Sequence, residues 1–181
     1  EKIHKTMNEY IKNNVFSALP EGMMLIARDT GKTRKGLVLQ FDLEEYDYKL
    51  GSKSKIRPTE KTVEERIPPR LVVRDGASIE IPHIMIMIDD PDRKIIEPIY
   101  QKRDTFSKLY DVELMQDGGH ITGWFIPKSD ETENILNMLD ELSDPKIFSE
   151  KYNTSIDTPV LPFAVGDGNH SMATAKAYWE N

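Results

Sequence analysis

Residues 161–178 read LPFAVGDGNHSMATAKAY, and the parsing of this stretch decides the fold. A short apolar run (Leu161, Phe163, Ala164, Val165) meets a Gly-Asp-Gly-Asn-His turn and passes directly into an alanine-rich segment. An apolar run of that length, bounded by turn residues, reads as a buried strand. Ser171 to Ala177 is small and helix-compatible, which predicts a helix beginning near His170. A strand, a glycine turn and a helix aim free backbone N–H groups at one point. Four such groups lack intrahelical partners, and the helix dipole adds partial positive charge there. Phosphate binds well at such a place. Gly166 and Gly168 let a ligand approach the backbone, while Asp167, Asn169, His170 and Ser171 supply side chains at the helix entry. A second reading stands beside this one: Asp167 or Asn169 caps the helix and nothing is bound. No P-loop or dinucleotide fingerprint is present in the stretch.

Moving outward, Ile84-Met85-Ile86-Met87-Ile88 is the most apolar run of the chain. It predicts a central strand buried on both faces, in one mixed sheet with the 161–165 strand, Met87 and Phe163 both buried. The fold class is therefore α/β, an α+β mixed sheet with flanking helices. The run ends in Asp89-Asp90-Pro91-Asp92. Ligands of open α/β sheets gather outside strand carboxyl ends, which makes Asp89 a candidate metal ligand. Asp90 reads as the N-cap of the next helix, with Pro91 at its first position. Residues 56–66 predict a helix of about two turns, with Pro58 in its first turn and Pro68-Pro69 as its stop. On it Glu60 and Glu64 share one face beside Arg57. That pair either holds Mg²⁺ or acts as a base, or is a solvated acidic face.

The remainder predicts a helix over residues 1–16, with the segment 1–20 peripheral. Strands at Met23–Ala27 and Gly36–Phe41 form a hairpin. Gly31-Lys32-Thr33 imitates the end of a P-loop, but Ile26 stands where its first glycine belongs, so the triplet reads as a hairpin turn. A helix follows from Arg93 to about Leu109. A second hairpin, Val112–Met115 with His120–Ile126, turns at Asp117-Gly118-Gly119. Two short helices at about 130–142 and 144–151 lead back to the opening stretch.

The chain of 181 residues starts at Glu1 without a methionine. It reads as a single α/β domain excised from a longer protein. With 24 Lys and Arg against 31 Asp and Glu, the net charge is −7, which argues against a nucleic-acid partner. No apolar run approaches about 18 residues, so no membrane span is expected and the localisation reads as cytoplasmic. The absence of cysteine removes a disulfide framework and cysteine-based zinc or redox chemistry. His4, His83, His120 and His170 lack zinc-site spacing, which leaves a metal hydrolase poorly supported.

Several segments together resemble the bacterial domain-of-unknown-function family ten-fifteen. They are KTRKGLVLQFDLEEYDY (32–48), GSKSKIRPTEKTVEERIPPR (51–70), IPHIMIMIDDP (81–91), DGGHITG (117–123) and FAVGDGNHSMATAKAYWE (163–180). The last resembles the Asp-Gly-His-His-Arg motif of the ParB/sulfiredoxin-like superfamily. Here Asn169 replaces the first histidine and Ser171 the arginine. The resemblance implies a ParB/sulfiredoxin-like fold that binds nucleotide or phosphate, and some relatives in the superfamily are small-molecule kinases. Two functions follow from it. One is a nucleotide-dependent phosphotransferase acting on a small hydroxylated metabolite. It would use ATP or ADP with Mg²⁺, phosphate at Gly166–Ser171, metal at Asp89 or Asp167, and Glu60 or Glu64 as base. The other is a non-catalytic nucleotide- or phosphate-binding sensor or scaffold, favoured by Ser171 in place of arginine. Arg57 is the expected compensating cation in either case.

Overall fold

The computed structural model describes residues 2–81 and 83–181. It is a mixed α/β structure with two sheets and flanking helices. In chain order the first elements are α1 (Lys2–Lys12), β1 (Gly22–Asp29), β2 (Thr33–Val38), β3 (Ile56–Pro58), α2 (Ile67–Arg74) and β4 (Met85–Ile88). Then come α3 (Ile96–Gln101), β5 (Ser107–Glu113), β6 (His120–Pro127), α4 (Asp130–Glu141), α5 (Pro145–Tyr152), β7 (Phe163–Asp167) and α6 (Asn169–Trp179). The chain divides into two compact units. The first comprises Glu1–Ala18, Phe41–Asp89 and Ser143–Asn181; the second comprises Leu19–Gln40 and Asp90–Leu142.

The sheet of the first unit has the order β3-β7-β4, with β7 parallel to β3 and antiparallel to β4. The 84–88 and 161–165 runs do belong to one mixed sheet. The position within it differs from expectation: β7 is central and β4 is an edge. Phe163 and Val165 are buried, whereas Met85 and Met87 are each 50% exposed. In an antiparallel pair successive side chains alternate faces. Ile86 and Ile88 turn toward the half-buried face, and the two methionines take the open one. An unbroken apolar run reads alike for either position. Met172, Ala173 and Ala175 of α6 are buried in the same unit, where small side chains let the helix lie close. α1 stops at Lys12, short of the expected residue 16, because Asn14 takes a left-handed conformation (φ 52°) that closes the helix. It buries none of its residues.

The expected helix over 56–66 is absent. Ile56–Pro58 is a strand, Glu64–Arg66 is a 3₁₀ turn, and Pro68-Pro69 open α2 instead of stopping a helix. Proline lacks only an N–H that the first helical turn leaves unpaired anyway, so it suits a start as well as a stop. Pairing with β7 outweighs local helix propensity at 56–58. Glu60 and Glu64 therefore share no helix face.

The second unit is an antiparallel sheet of order β2-β1-β6-β5. Met23, Leu25 and Ala27 alternate inward on β1, and Trp124, Phe125 and Ile126 of β6 are buried with them. The β1–β2 hairpin forms as expected, pairing Asp29 with Thr33. Its exposed tip is held by the Asp29 carboxylate, which accepts from the Gly31 N–H (2.8 Å) and the Thr33 hydroxyl (3.1 Å). Gly31-Lys32-Thr33 is thus a turn. The helix expected from Arg93 to Leu109 covers only Ile96–Gln101, and β5 begins at Ser107, where pairing with β6 takes over. Asp90 caps the turn ahead of α3 by accepting from the N–H groups of Lys94 (3.0 Å) and Ile95 (2.9 Å). The β5–β6 hairpin forms as expected, but its loop spans residues 114–119, wider than the turn expected at Asp117-Gly118-Gly119, with Gln116, Asp117 and Gly119 all at positive φ.

Candidate functional site

Because β3 and β7 run parallel, their carboxyl ends share one edge of the sheet. Ligands of α/β sheets gather outside such an edge. Two segments distant in sequence meet there. The Thr59 N–H (3.1 Å) and hydroxyl (3.0 Å) both donate to the Val165 carbonyl, and the Val63 N–H donates to His170 Nε2 (3.1 Å). The chain thus wraps 59–63 around the start of α6.

The strand passes to the helix through one residue, Gly168, at φ 78°. A Cβ there would stand 2.4 Å from the His83 carbonyl oxygen and 3.0 Å from Ile84 Cα. Both the backbone angle and the crossing chain require glycine. Its necessity is met by packing before any ligand is invoked. The Asp167 carboxylate accepts from the Gly168 N–H (2.7 Å) and faces His83 Nε2 (3.5 Å). Asn169 Oδ1 accepts from the His170 N–H (2.9 Å). Among the described residues no acceptor reaches the N–H groups of Asn169 and Ser171.

Asn169 is 6% exposed, and its amide Nδ2 is buried without a partner; the hydroxyl of buried Thr62 is likewise unpaired. Between them lies Tyr46, fully buried, whose hydroxyl donates at 3.5 Å to the Asn169 carbonyl. The Thr62 hydroxyl stands beside the Tyr46 phenol without reaching hydrogen-bond geometry. Burial drives the Tyr46 phenol far above its usual range, so it stays a neutral donor. Each unsatisfied buried group costs about 1–3 kcal/mol, so two in one knot call for an explanation.

The other expected site residues disperse. Arg57 pairs in register with Ala164, but its guanidinium donates to the carbonyls of Ser52 (2.9 Å) and Val160 (3.0 Å). Val160 precedes β7, so Arg57 reaches back toward the opposite end of the strand, away from Gly166–Ser171. It is a clasp between backbone segments. Asp89 lies at that opposite end too, because β4 runs antiparallel and the Asp89 N–H bonds the Pro162 carbonyl (3.0 Å). Its carboxylate accepts from Lys151 Nζ (2.6 Å) and the Tyr152 hydroxyl (2.9 Å). From Pro162 to Asp167 an extended chain covers roughly 16 Å. Asp89 and Asp167 thus cannot share an ion. Among the described residues no group of three His, Asp or Glu is arranged to hold a metal. Glu60 is exposed just after Thr59 at the site edge, while Glu64 belongs to the 3₁₀ turn beyond it. Thr59, Thr62, Tyr46 and His83 join the site although no residue-level signal marks them as site residues. Their one pointer in the sequence is that all four fall in the family-like segments 32–48, 51–70 and 81–91.

Residues 1–181 match the family described as "Protein of unknown function (DUF1015)". The chain belongs to that family. No curated protein and no solved structure matches it. The DUF1015 match extends over both compact units and includes each segment that meets at the β3–β7 edge. No helix among the described residues is long and apolar enough to cross a membrane.

Proposed function

We propose that the carboxyl edge of β3 and β7, with the start of α6, binds a phosphate-bearing small molecule of the nucleotide class, ATP or ADP foremost. The observation that carries this reading is the set of unmet donors at the start of α6: the N–H groups of Asn169 and Ser171, and the buried amide of Asn169. A phosphate oxygen accepts from such donors without competing partners, and the helix dipole favours its charge. The ParB/sulfiredoxin-like resemblance points the same way, and a cytoplasmic setting accords with such ligands. Phosphoryl transfer to a hydroxylated metabolite is a second reading, favoured by Glu60 following Thr59 at this edge. Mg²⁺ relies on substrate phosphates plus one or two carboxylates, and Asp167 is the carboxylate here that fits that role. Binding without transfer, as a sensor or scaffold, needs only the donors.

The test is thermal denaturation of the full-length protein with ATP, ADP, pyrophosphate and inorganic phosphate. A ligand at about 100 times its Kd adds about 2.7 kcal/mol of stability. Ser171→Arg should tighten binding by restoring a cation, and Lys32→Ala should leave it unchanged. Flat melting curves with every phosphate compound would reduce the joint to a capped turn. Release of ADP in the presence of ATP and candidate hydroxylated acceptors separates transfer from binding.

A further inference from the structure

In the first unit a cleft of about 400 Å³ runs beside α2 and α6. That volume falls in the range of about 300–1,000 Å³ usual for small-molecule sites. Its apolar walls include Val73, Ile79 and Ile81, and its polar lining includes Arg74, Glu80 and Ser171. Ser171 is also the third residue of α6, and its N–H is one of the two free donors at the turn. One molecule can therefore touch the turn with one end and fill the cleft with the other.

We infer that the cleft takes the base of the nucleotide whose phosphate sits at Gly166–Ser171, and that it selects a base of the adenine type. This deepens the phosphate-binding reading and rests on it. The Arg74 guanidinium is oriented by Nη2, which donates to Glu80 Oε2 at 2.6 Å, and by the Tyr178 ring, 5.5 Å away. Of the donors that remain on the guanidinium, Nε–H is buried without an acceptor. In this inference the unpaired donor on the cation and the Glu80 carboxylate bound to it serve as one donor and one acceptor for the base, once the base enters against them. An adenine edge presents the complement: a ring nitrogen that accepts from Arg74 Nε–H, next to an amino group that donates to Glu80. A hypoxanthine ring puts N–H and carbonyl in those places and meets donor with donor. The same arginine supplies a cation on the ligand's path, the role that Arg57 does not fill.

The experiment is isothermal titration of the full-length protein with AMP, IMP and inorganic phosphate. AMP should bind at least tenfold more tightly than phosphate, and IMP at least fivefold more weakly than AMP. Val73 is half exposed on α2, so Val73→Trp should fold and fill the cleft. It should lower AMP affinity to that of phosphate while leaving phosphate binding unchanged. If melting shows that variant misfolded, Ile79→Trp replaces it. Equal binding of AMP and phosphate, equal binding of AMP and IMP, or AMP affinity untouched by the filled cleft each overturns the inference while phosphate binding stands. Failure of both AMP and phosphate to bind overturns the phosphate reading itself, and the inference falls with it.

Discussion

Asp167-Gly168-Asn169-His170 and Asp117-Gly118-Gly119-His120 differ at one residue, yet they build different things. The first joins a strand to a helix; the second closes a hairpin. In the first, the positive φ belongs to the second residue, Gly168 (78°). In the second it belongs to Asp117 (54°) and the third residue, Gly119 (82°). The histidines diverge further. His170 accepts a backbone N–H through Nε2, whereas His120 stands between two carboxylates, Asp111 on Nε2 and Glu113 on Nδ1. A short Asp-Gly-x-His string therefore specifies a sharp turn. What arrives from elsewhere in the chain specifies its role.

Exchanging the differing residue breaks the comparison most sharply. A Cβ at Gly119 would lie 2.0 Å from the Asp29 carbonyl oxygen. Gly119→Asn should cost about 3 kcal/mol or more, through that clash rather than through φ, which asparagine tolerates. Asn169→Gly makes the reverse exchange. It loses the acceptor for the His170 N–H (2.9 Å) and adds a helical glycine, but it also removes an unpaired buried amide. The net cost should be about 1 kcal/mol. Trp124 lies in the second unit and Trp179 in the first, so urea unfolding followed in single-tryptophan variants reads each unit separately. Equal losses from the two exchanges would mean that the crossing carbonyl does not set the hairpin loop.

The same contrast explains what the sequence disclosed. The β7–Gly168–α6 joint was legible because its constraints are local: an apolar run, one glycine and small helix formers. The β1–β2 hairpin was legible for the same reason. Residues 56–66 read as helix but are not one, because their fate is set by Val165, which receives Thr59, and by Phe163 to Val165, which pair with Ile56–Pro58. Nothing in IRPTEKTVEER reports a partner about a hundred residues away. Arg57 looked like a free cation for the same reason, since its acceptors, Ser52 and Val160, are backbone carbonyls that the sequence does not bring together. Arg74 of the cleft carries no signal in the sequence either, because Glu80 approaches it only through the turn after α2.

The smallest expected effect separates the two histidines by pH. His120 is raised above its usual 6.5 by its hydrogen bond to Asp111 and then by that to Glu113. Asp111 is lowered from 3.8 to about 2 by hydrogen bonds from Lys108 and then His120. A histidine stabilised in its charged form contributes fully below its unfolded pKa, and the contribution fades as pH rises through the folded value. The aspartate contributes above its unfolded pKa and loses that contribution as pH falls through about 2. Both contributions are complete only between about pH 3.8 and 6.5. The melting temperature of the second unit should therefore be level in that window and decline on its alkaline side. His120→Gln should abolish the alkaline decline, whereas His170→Gln should leave it in place. The groups are solvent-exposed, so the effect should be modest and should shrink in about 1 M salt, where the screening length is about 3 Å. An alkaline decline that survives both His120→Gln and salt would assign it to other groups, and the two histidines would then no longer be distinguished by their partners.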